Sequence, residues 1–378
     1  MHRLSTYVAQ GLSLSWGVYV HIPFCARRCP YCAFVLIESD GSLHDAFVDR
    51  LCREIRETSH RPDSVSSLYF GGGTPSLLTP KQVGRIYDEV STILGKPNLE
   101  VTLEANPEDI TAGLLKGYQE VGVNRLSLGI QALDDRALGE FGREHSAKDA
   151  EKAWKTAHEI FPNVSLDLMF GLERQEWSRA LDQVLSWNPP HVSLYGLTYE
   201  PGTPFTREVS SGVRSPISPE REGGMYREAI RRLIEAGYRH YEISNFAKPG
   251  MESVQNTGYW EGRPYLGFGP GAHSYIPHQR WSNLSNVRKY LEGKDSVLEV
   301  EELTLDQRML ERIFLGLRRD VGVDLDAFQV EFKVPFREKY LSLLEELEGL
   351  KLVHIRGGFL VLTENGKLLA DEVIGKFA

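Results

Sequence analysis

The sequence predicts an α/β fold: a partial (β/α)6 barrel of the TIM type, followed by a small C-terminal winged-helix-like domain. Three observations predict it. Strand-like and helix-like stretches alternate six times between Trp16 and about residue 240. The residues able to do chemistry fall at the C-terminal ends of the strand stretches, the edge where α/β proteins bind ligands. Past residue 240 the alternation stops, and a helix–loop–helix–hairpin order closes the chain. Strands separated by helices pair in parallel, in an open doubly wound sheet or in a barrel. Six units are too few to close an eight-unit barrel, which favours a partial one.

The elements follow in order. Gly17 to Ile22 is a β-branched and aromatic run, and Ser42 to Thr58 is helical, with Phe47, Leu51 and Ile55 on one face. Ser66–Phe70 reads as strand and Thr79–Leu94 as helix, Pro80 suiting its first turn. Leu99–Ala105, Asn124–Leu128, Val164–Leu168 and His191–Tyr195 continue the strands. Glu108–Val121, Ala147–Ile160, Gln175–Trp187 and Pro219–Ala236 supply the helices between and after them. Asn256 to Gly271, rich in Gly, Pro and aromatics, predicts a long loop closing over a site. The chain therefore divides into a barrel (1–240), a connecting or lid segment (241–300) and a C-terminal unit (301–378). In that last unit Thr304 opens a helix, Val321–Asp324 forms a short loop, a second helix follows, and Arg356-Gly-Gly358 turns a hairpin.

Composition excludes several classes. Of 378 residues, 43 are basic and 52 acidic, a net charge of −9, so a broad nucleic-acid surface is disfavoured. The last unit is itself acidic, against DNA binding by its winged-helix-like order. No apolar run reaches spanning length, so any membrane contact would be transient. Met1–Trp16 shows no charged start before an apolar stretch, hence no secretory leader. Four cysteines, three of them within eight positions, fit metal ligands in a cytoplasmic protein better than disulfides.

Those three are Cys25-Ala-Arg-Arg-Cys29-Pro-Tyr-Cys32, directly after the first strand. Thiolates at this spacing point from one loop toward a single soft metal centre. A structural zinc needs a fourth ligand; His21 lies on the strand, and Cys52 reads as a buried hydrophobe on a helix. Three cysteines on a cubic iron–sulfur cluster leave one iron open.

A C-x3-C-x2-C loop after the first strand of a βα protein resembles the radical S-adenosylmethionine (SAM) superfamily. The resemblance implies a [4Fe–4S] cluster on Cys25, Cys29 and Cys32, with SAM chelating the open iron. Gly71-Gly-Gly-Thr74 resembles the superfamily's amino-group-binding turn, which implies Gly72, Gly73 and Thr74 as SAM contacts. Glu104, Gln131, Arg143 and Asp167 follow the same logic; Arg143 suits the SAM carboxylate because a guanidinium donates two parallel hydrogen bonds. Tyr19 has the position to bond SAM or substrate and Tyr31 to pack on adenine, although plain core packing accounts for either.

Tyr19-Val-His-Ile-Pro-Phe-Cys25, Tyr69-Phe-Gly-Gly-Gly-Thr-Pro75, Glu104-Ala-Asn-Pro107, Ser127-Leu-Gly-Ile-Gln131, Gly142-Arg-Glu-His145 and Gly267-Phe-Gly-Pro-Gly-Ala-His273 resemble the oxygen-independent coproporphyrinogen III oxidase group. That group holds the oxidase and a radical SAM haem-chaperone branch. The oxidase carries a further cysteine two residues after the third and a longer lead before the first. Here Phe34 occupies the former place and 24 residues precede Cys25, as in the chaperone branch. The resemblance implies a protein that binds haem as cargo and passes it to apo-haem proteins; the alternative is oxidation of coproporphyrinogen III. The branch's His-Asn-x-x-Tyr-Trp haem motif reads Gln255-Asn256-Thr-Gly-Tyr259-Trp260 here, and glutamine is a poor iron ligand. Asn256, Tyr259 and Trp260 remain candidates to pack on a porphyrin, with His273, then His240, as axial ligand.

Overall fold

The computed structural model describes residues 15–293 and 297–378; residues 1–14, which carry most of the expectation of no secretory leader, lie outside it. Six parallel strands form the centre: β1 (Trp16–Ile22), β2 (Val65–Gly72), β3 (Glu100–Ala105), β4 (Arg125–Gln131), β5 (Val164–Phe170) and β6 (His191–Gly196). The crossovers are α1 (His44–Glu57), α2 (Pro80–Ile93), α3 (Ala112–Glu120), α4 (Asp135–Glu140), α5 (Ala147–Ile160) and α6 (Trp177–Trp187). After β6 come α7 (Pro204–Ser210) and α8 (Pro219–Glu235). The helices start where side chains cap them: Thr79 and Ser146 each accept the third backbone N–H and are capped in return by Gln82 and Asp149.

Alternation along the strands sorts the core. Val18, Val20, Leu68, Phe70, Leu166 and Leu168 are fully buried in one apolar cluster with the helices, each contributing roughly 1.5–3 kcal/mol. The intervening residues are polar and turn into the barrel interior, where Tyr69 bonds Glu104, Ser127 bonds Asp167, Ser67 bonds Gln255 and Tyr19 bonds His21. A polar interior is what a ligand chamber requires, not a packed core.

The segment expected to be a lid is built differently. It supplies β7 (Arg239–Glu242) and β8 (Asn245–Ala247), then α9 (Val254–Trp260), β9 (Tyr265–Phe268), β10 (His273–Ile276), β11 (Gln279–Asn283), α10 (Val287–Leu291) and β12 (Val297–Glu302). Among the described residues the sheet therefore has twelve strands, in the order β12-β11-β10-β9-β1-β2-β3-β4-β5-β6-β8-β7, and β9 pairs with β1 in parallel. The Asn256–Gly271 loop expectation is thus corrected. Its aromatic residues serve a helix and a strand of four residues, too short to show a period between the flanking glycines and prolines.

The C-terminal unit closes the remaining seam. Its first helix, α11 (Leu305–Leu317), packs into a separate apolar core with Phe328, Leu347 and Val373. Val323–Asp324, Phe359–Leu362 and Val353–Arg356 form a small antiparallel sheet, the hairpin expected from the sequence. The residues after α11 meet one end of the large sheet, where the Ile243 N–H donates to Arg318 O (3.0 Å) and Asp320 N–H to Tyr241 O (3.1 Å). Toward the other end, Arg280 of β11 pairs with Glu311 of α11.

Candidate functional site

The cysteine loop leaves β1 at its C-terminal end. Phe24–Cys25 pairs with Ile37–Glu38, so the excursion between them is pinned at its base. Arg28 holds it from inside, its guanidinium donating to Leu36 O at 2.9 Å. From outside, the Phe205 N–H at the start of α7 donates to Pro30 O at 3.1 Å. Gly142, at φ +69°, lies so close that a Cβ there would meet Pro30 Cδ at 2.6 Å. That is why a glycine precedes Arg143.

Cys25 is buried and its thiol accepts from Thr74 Oγ1 at 3.3 Å. Burial pushes that thiol up to about 11, partly offset by Thr74, with the Cys32 and Cys29 thiols adding to the rise. Burial also raises Cys32. Both are therefore protonated until a metal centre displaces the proton. The fourth ligands a zinc site would need are engaged. His21 donates from Nε2 to Val35 O (2.7 Å) and accepts the Tyr19 hydroxyl at Nδ1 (3.1 Å), while Cys52 faces Arg85 O. Among the described residues no three His, Cys, Asp or Glu side chains form a set able to hold a single metal ion.

A chain of hydrogen bonds joins two of the thiols. Arg143 Nη1 donates to Cys29 Sγ (3.6 Å) and Nη2 to Asn106 Oδ1 (2.6 Å); Asn106 Nδ2 donates to Thr74 Oγ1 (3.3 Å), and Thr74 donates to Cys25. Asn106 was not singled out from sequence, although the Glu-Ala-Asn-Pro stretch ending a strand was the signal that pointed there. Arg143 Nε is buried without a hydrogen-bond partner among the described residues, a donor that an anionic ligand would satisfy. The glycine turn lies beside it: Gly73 N–H donates to Ile22 O and Thr74 N–H to Phe24 O, and a Cβ on Gly73 would meet Phe24 O at 2.5 Å. Gly72, at φ +116°, would drive a Cβ into His21. Only glycines let this turn lie on the cysteine loop.

Glu104 accepts from Tyr69 OH (2.8 Å) and Gly72 N–H (3.1 Å); burial pushes its carboxyl up to about 7, against the Tyr69 bond and aided by Asp167. Asp167 accepts from Ser127 (2.7 Å) and Ser165 (2.9 Å), and burial raises it too. Gln131 ends β4 at φ 65°, a left-handed backbone for a non-glycine residue and a form of strain found at ligand sites. Tyr19 faces the interior near Glu104, whereas the Tyr31 ring packs edge-on against Phe141 at 5.8 Å and beside Phe205. Cys25, Cys29, Gly72, Gly73, Thr74, Glu104 and Arg143 are thus brought to one end of the barrel.

The porphyrin candidates are not gathered there. α9 lies at the N-terminal ends of β1 to β3. Gln255 is buried, its Oε1 accepting from Ser67 Oγ at 2.6 Å. Tyr259 packs edge-on against Tyr265 at 4.6 Å, and Trp260 stacks toward Arg318 and Phe314 just after and within α11. Exposed His273 stands two residues further toward the cysteine end than the Tyr265–Tyr275 pair, so it is not grouped with Asn256, Tyr259 and Trp260. Both ring nitrogens of His240 are engaged: Nε2 faces Ile243 O (3.1 Å), and Nδ1 accepts from Lys367 Nζ (3.1 Å).

A barrel with a three-cysteine loop at one mouth and a glycine turn beside it defines a radical SAM protein. Residues 19–184 match the radical SAM superfamily and residues 303–369 the HemN C-terminal domain. The chain is 36% identical over 375 residues to the haem chaperone HemW of Bacillus subtilis, covering 96% of this chain and 98% of that one. It is 39% identical over 331 residues to the mitochondrial radical S-adenosyl methionine domain-containing protein 1 of Bos taurus, covering 81% and 74%. Coproporphyrinogen III oxidase (HemN) of Escherichia coli shares the fold, with a TM-score of 0.84 at 23% identity over 100% of this chain and 93% of that one. The chain belongs to the HemW family, and that membership implies a [4Fe–4S] cluster and SAM.

Proposed function

We propose that this protein is a haem chaperone that binds haem and hands it to apo-haem proteins in the cytoplasm. The observation that carries the reading is the similarity to HemW along nearly the whole chain. Phe34 in the place of the oxidase's extra cysteine supports it. No helix among the described residues is long and apolar enough to cross a membrane.

Cys25, Cys29 and Cys32 would hold the cluster, and the residues fit it: three soft donors, no competing fourth ligand. Gly72, Gly73, Thr74, Glu104, Gln131, Arg143 and Asp167 would hold SAM, the orphaned Arg143 Nε meeting its carboxylate. Tyr19 would contribute from the barrel wall, while Tyr31 would help fix the loop rather than stack on adenine. When bound, the cluster supplies the electron for reductive SAM chemistry. The protein's own part is to hold Cys29 and SAM on one guanidinium and to leave Glu104, its carboxyl pushed up to about 7, ready to ionise against a cationic ligand. Haem would enter at the opposite mouth, where a cavity of about 430 Å³ has Tyr241, Thr257, Trp260 and Arg319 on its wall. None of the residues lining it is a histidine, so the axial ligand would be His273 after rearrangement or a non-protein group.

The test is anaerobic reconstitution with iron and sulfide, then parallel assays of haem binding, haem transfer to an apo-haem protein, and coproporphyrinogen III turnover. Haem binding and transfer without porphyrinogen decarboxylation are expected. Robust decarboxylation overturns the chaperone reading in favour of the oxidase.

A further inference from the structure

Beneath the cysteine loop lies a half-buried carboxylate that the SAM site does not use. Glu54 projects from α1 and accepts from Tyr290 OH (2.6 Å), Asn283 Nδ2 (2.7 Å) and the Gly269 N–H (3.2 Å). Asn283 Nδ2 also donates to Gly269 O at 3.0 Å, so carboxylate and carboxamide grip the same glycine from both sides. The Arg50 guanidinium, 5.0 Å from the Tyr290 ring centre, adds positive potential. Burial pushes the Glu54 carboxyl upward and the three donors counter it. These partners lie 215 to 236 residues away in sequence, so Glu54 ties the 267–273 turn to the first helix of the barrel.

That turn is the roof against which the cysteine loop rests. A Cβ on Gly269 would meet His21 O at 2.5 Å, and one on Gly271 would meet Val35 Cγ2 at 2.7 Å. His21 in turn donates to Val35 O, three residues beyond Cys32. With no room for even a Cβ between them, the turn and the cysteine loop are packed without slack, and groups so packed transmit displacement.

We propose that Glu54 is a positioning residue for the cysteine loop: through Gly269 and Asn283 it sets the height of the turn that fixes His21, Val35 and hence the limb carrying Cys32. The inference rests on the cluster and SAM reading above. Glu54→Gln keeps the shape but turns an amide donor toward donors that need an acceptor.

The test uses the full chain, reconstituted anaerobically, comparing the unmodified protein with Glu54→Gln, Glu54→Asp and Tyr290→Phe. The readouts are iron and sulfide content, thermal unfolding, SAM affinity, and the change in the electron paramagnetic resonance spectrum of the reduced cluster when SAM is added. Glu54→Gln is expected to take up a cluster yet bind SAM about tenfold more weakly, with a diminished spectral change. Tyr290→Phe is expected to fall between, and Glu54→Asp to recover part of the loss. A purely structural role lowers thermal stability and leaves the spectral response of the folded fraction intact; that result overturns the proposal. If Glu54→Gln does not fold, Tyr290→Phe decides alone, and an unaltered response in it overturns the proposal. An unmodified protein that takes up no cluster overturns the underlying reading and this one with it, whereas a normal cluster with unmoved variants overturns only the role of Glu54.

Discussion

Glu100 and Glu104 stand on the same strand and the same face, one at each end of the barrel, and do opposite things. Glu100 is 3% exposed and saturated: it accepts from Ser253 Oγ, Val254 N–H and Gln255 N–H and lies 3.9 Å from the buried Arg125 guanidinium. Glu104 has two donors and no cation in contact, and its proton is held to about pH 7. A carboxylate surrounded by its own chain's donors is a structural anchor. One left short of them awaits a ligand. At the N-terminal mouth α9 supplies donors to Glu100 and an acceptor to Ser67, although among the described residues Trp260 Nε1 and Arg125 Nε stay without hydrogen-bond partners there; at the cysteine end it is Arg143 Nε that stays without one.

The sharpest way to break this contrast is Glu100→Ala. It strands Arg125, 2% exposed, without its counter-charge, and should cost about 3–5 kcal/mol in chemical denaturation. A loss below about 1 kcal/mol would mean that the anchor is not one. Next in size, Arg143→Ala should weaken SAM binding by roughly ten- to a hundredfold with cluster content intact, as read by calorimetry and iron analysis. Unchanged affinity would remove Arg143 from the SAM site.

Gln255→Ala leaves the buried Ser67 hydroxyl without its acceptor and should cost about 1–2 kcal/mol while SAM affinity stays put. A change in SAM affinity would show that the two mouths are coupled. The smallest effect is a slope. Because the folded state holds the Glu104 proton more tightly than the unfolded chain does, it binds more protons between the ordinary carboxyl range and about pH 7. Stability contributed by this group is therefore present at low pH and lost as pH rises through that window. Glu104→Gln should flatten the fall in ligand-free protein; an identical pH profile would assign the slope to other groups.

Much of this was legible beforehand, for definite reasons. The six parallel strands announce themselves because burial under helices demands β-branched and apolar residues at alternate positions. The cysteines, glycines, Glu104 and Gln131 stand where strands end, whereas Arg143 follows a helix and was legible only through its Gly-Arg-Glu-His motif. What stayed hidden depends on distant partners. Asn106 bridges Arg143 and Thr74 only once the ends of β2 and β3 and the loop after α4 are adjacent. α9 and β9 are short, and their register comes from β1 and β2, not from any period of their own. The bearing of Gln255, inward onto Ser67, could not be read from a motif that elsewhere carries histidine.

The roof of the cysteine loop has a consequence for synthesis. Cys25, Cys29 and Cys32 leave the ribosome early, but Gly269 follows its anchor Glu54 by 215 residues. At roughly 5–20 residues per second that interval is about 10–40 s, during which the thiols have emerged but the turn that seats them has not. On the cluster reading, assembly order would thereby be built into the chain: an inorganic cluster delivered during translation would meet an unroofed loop, and one delivered after release a finished socket.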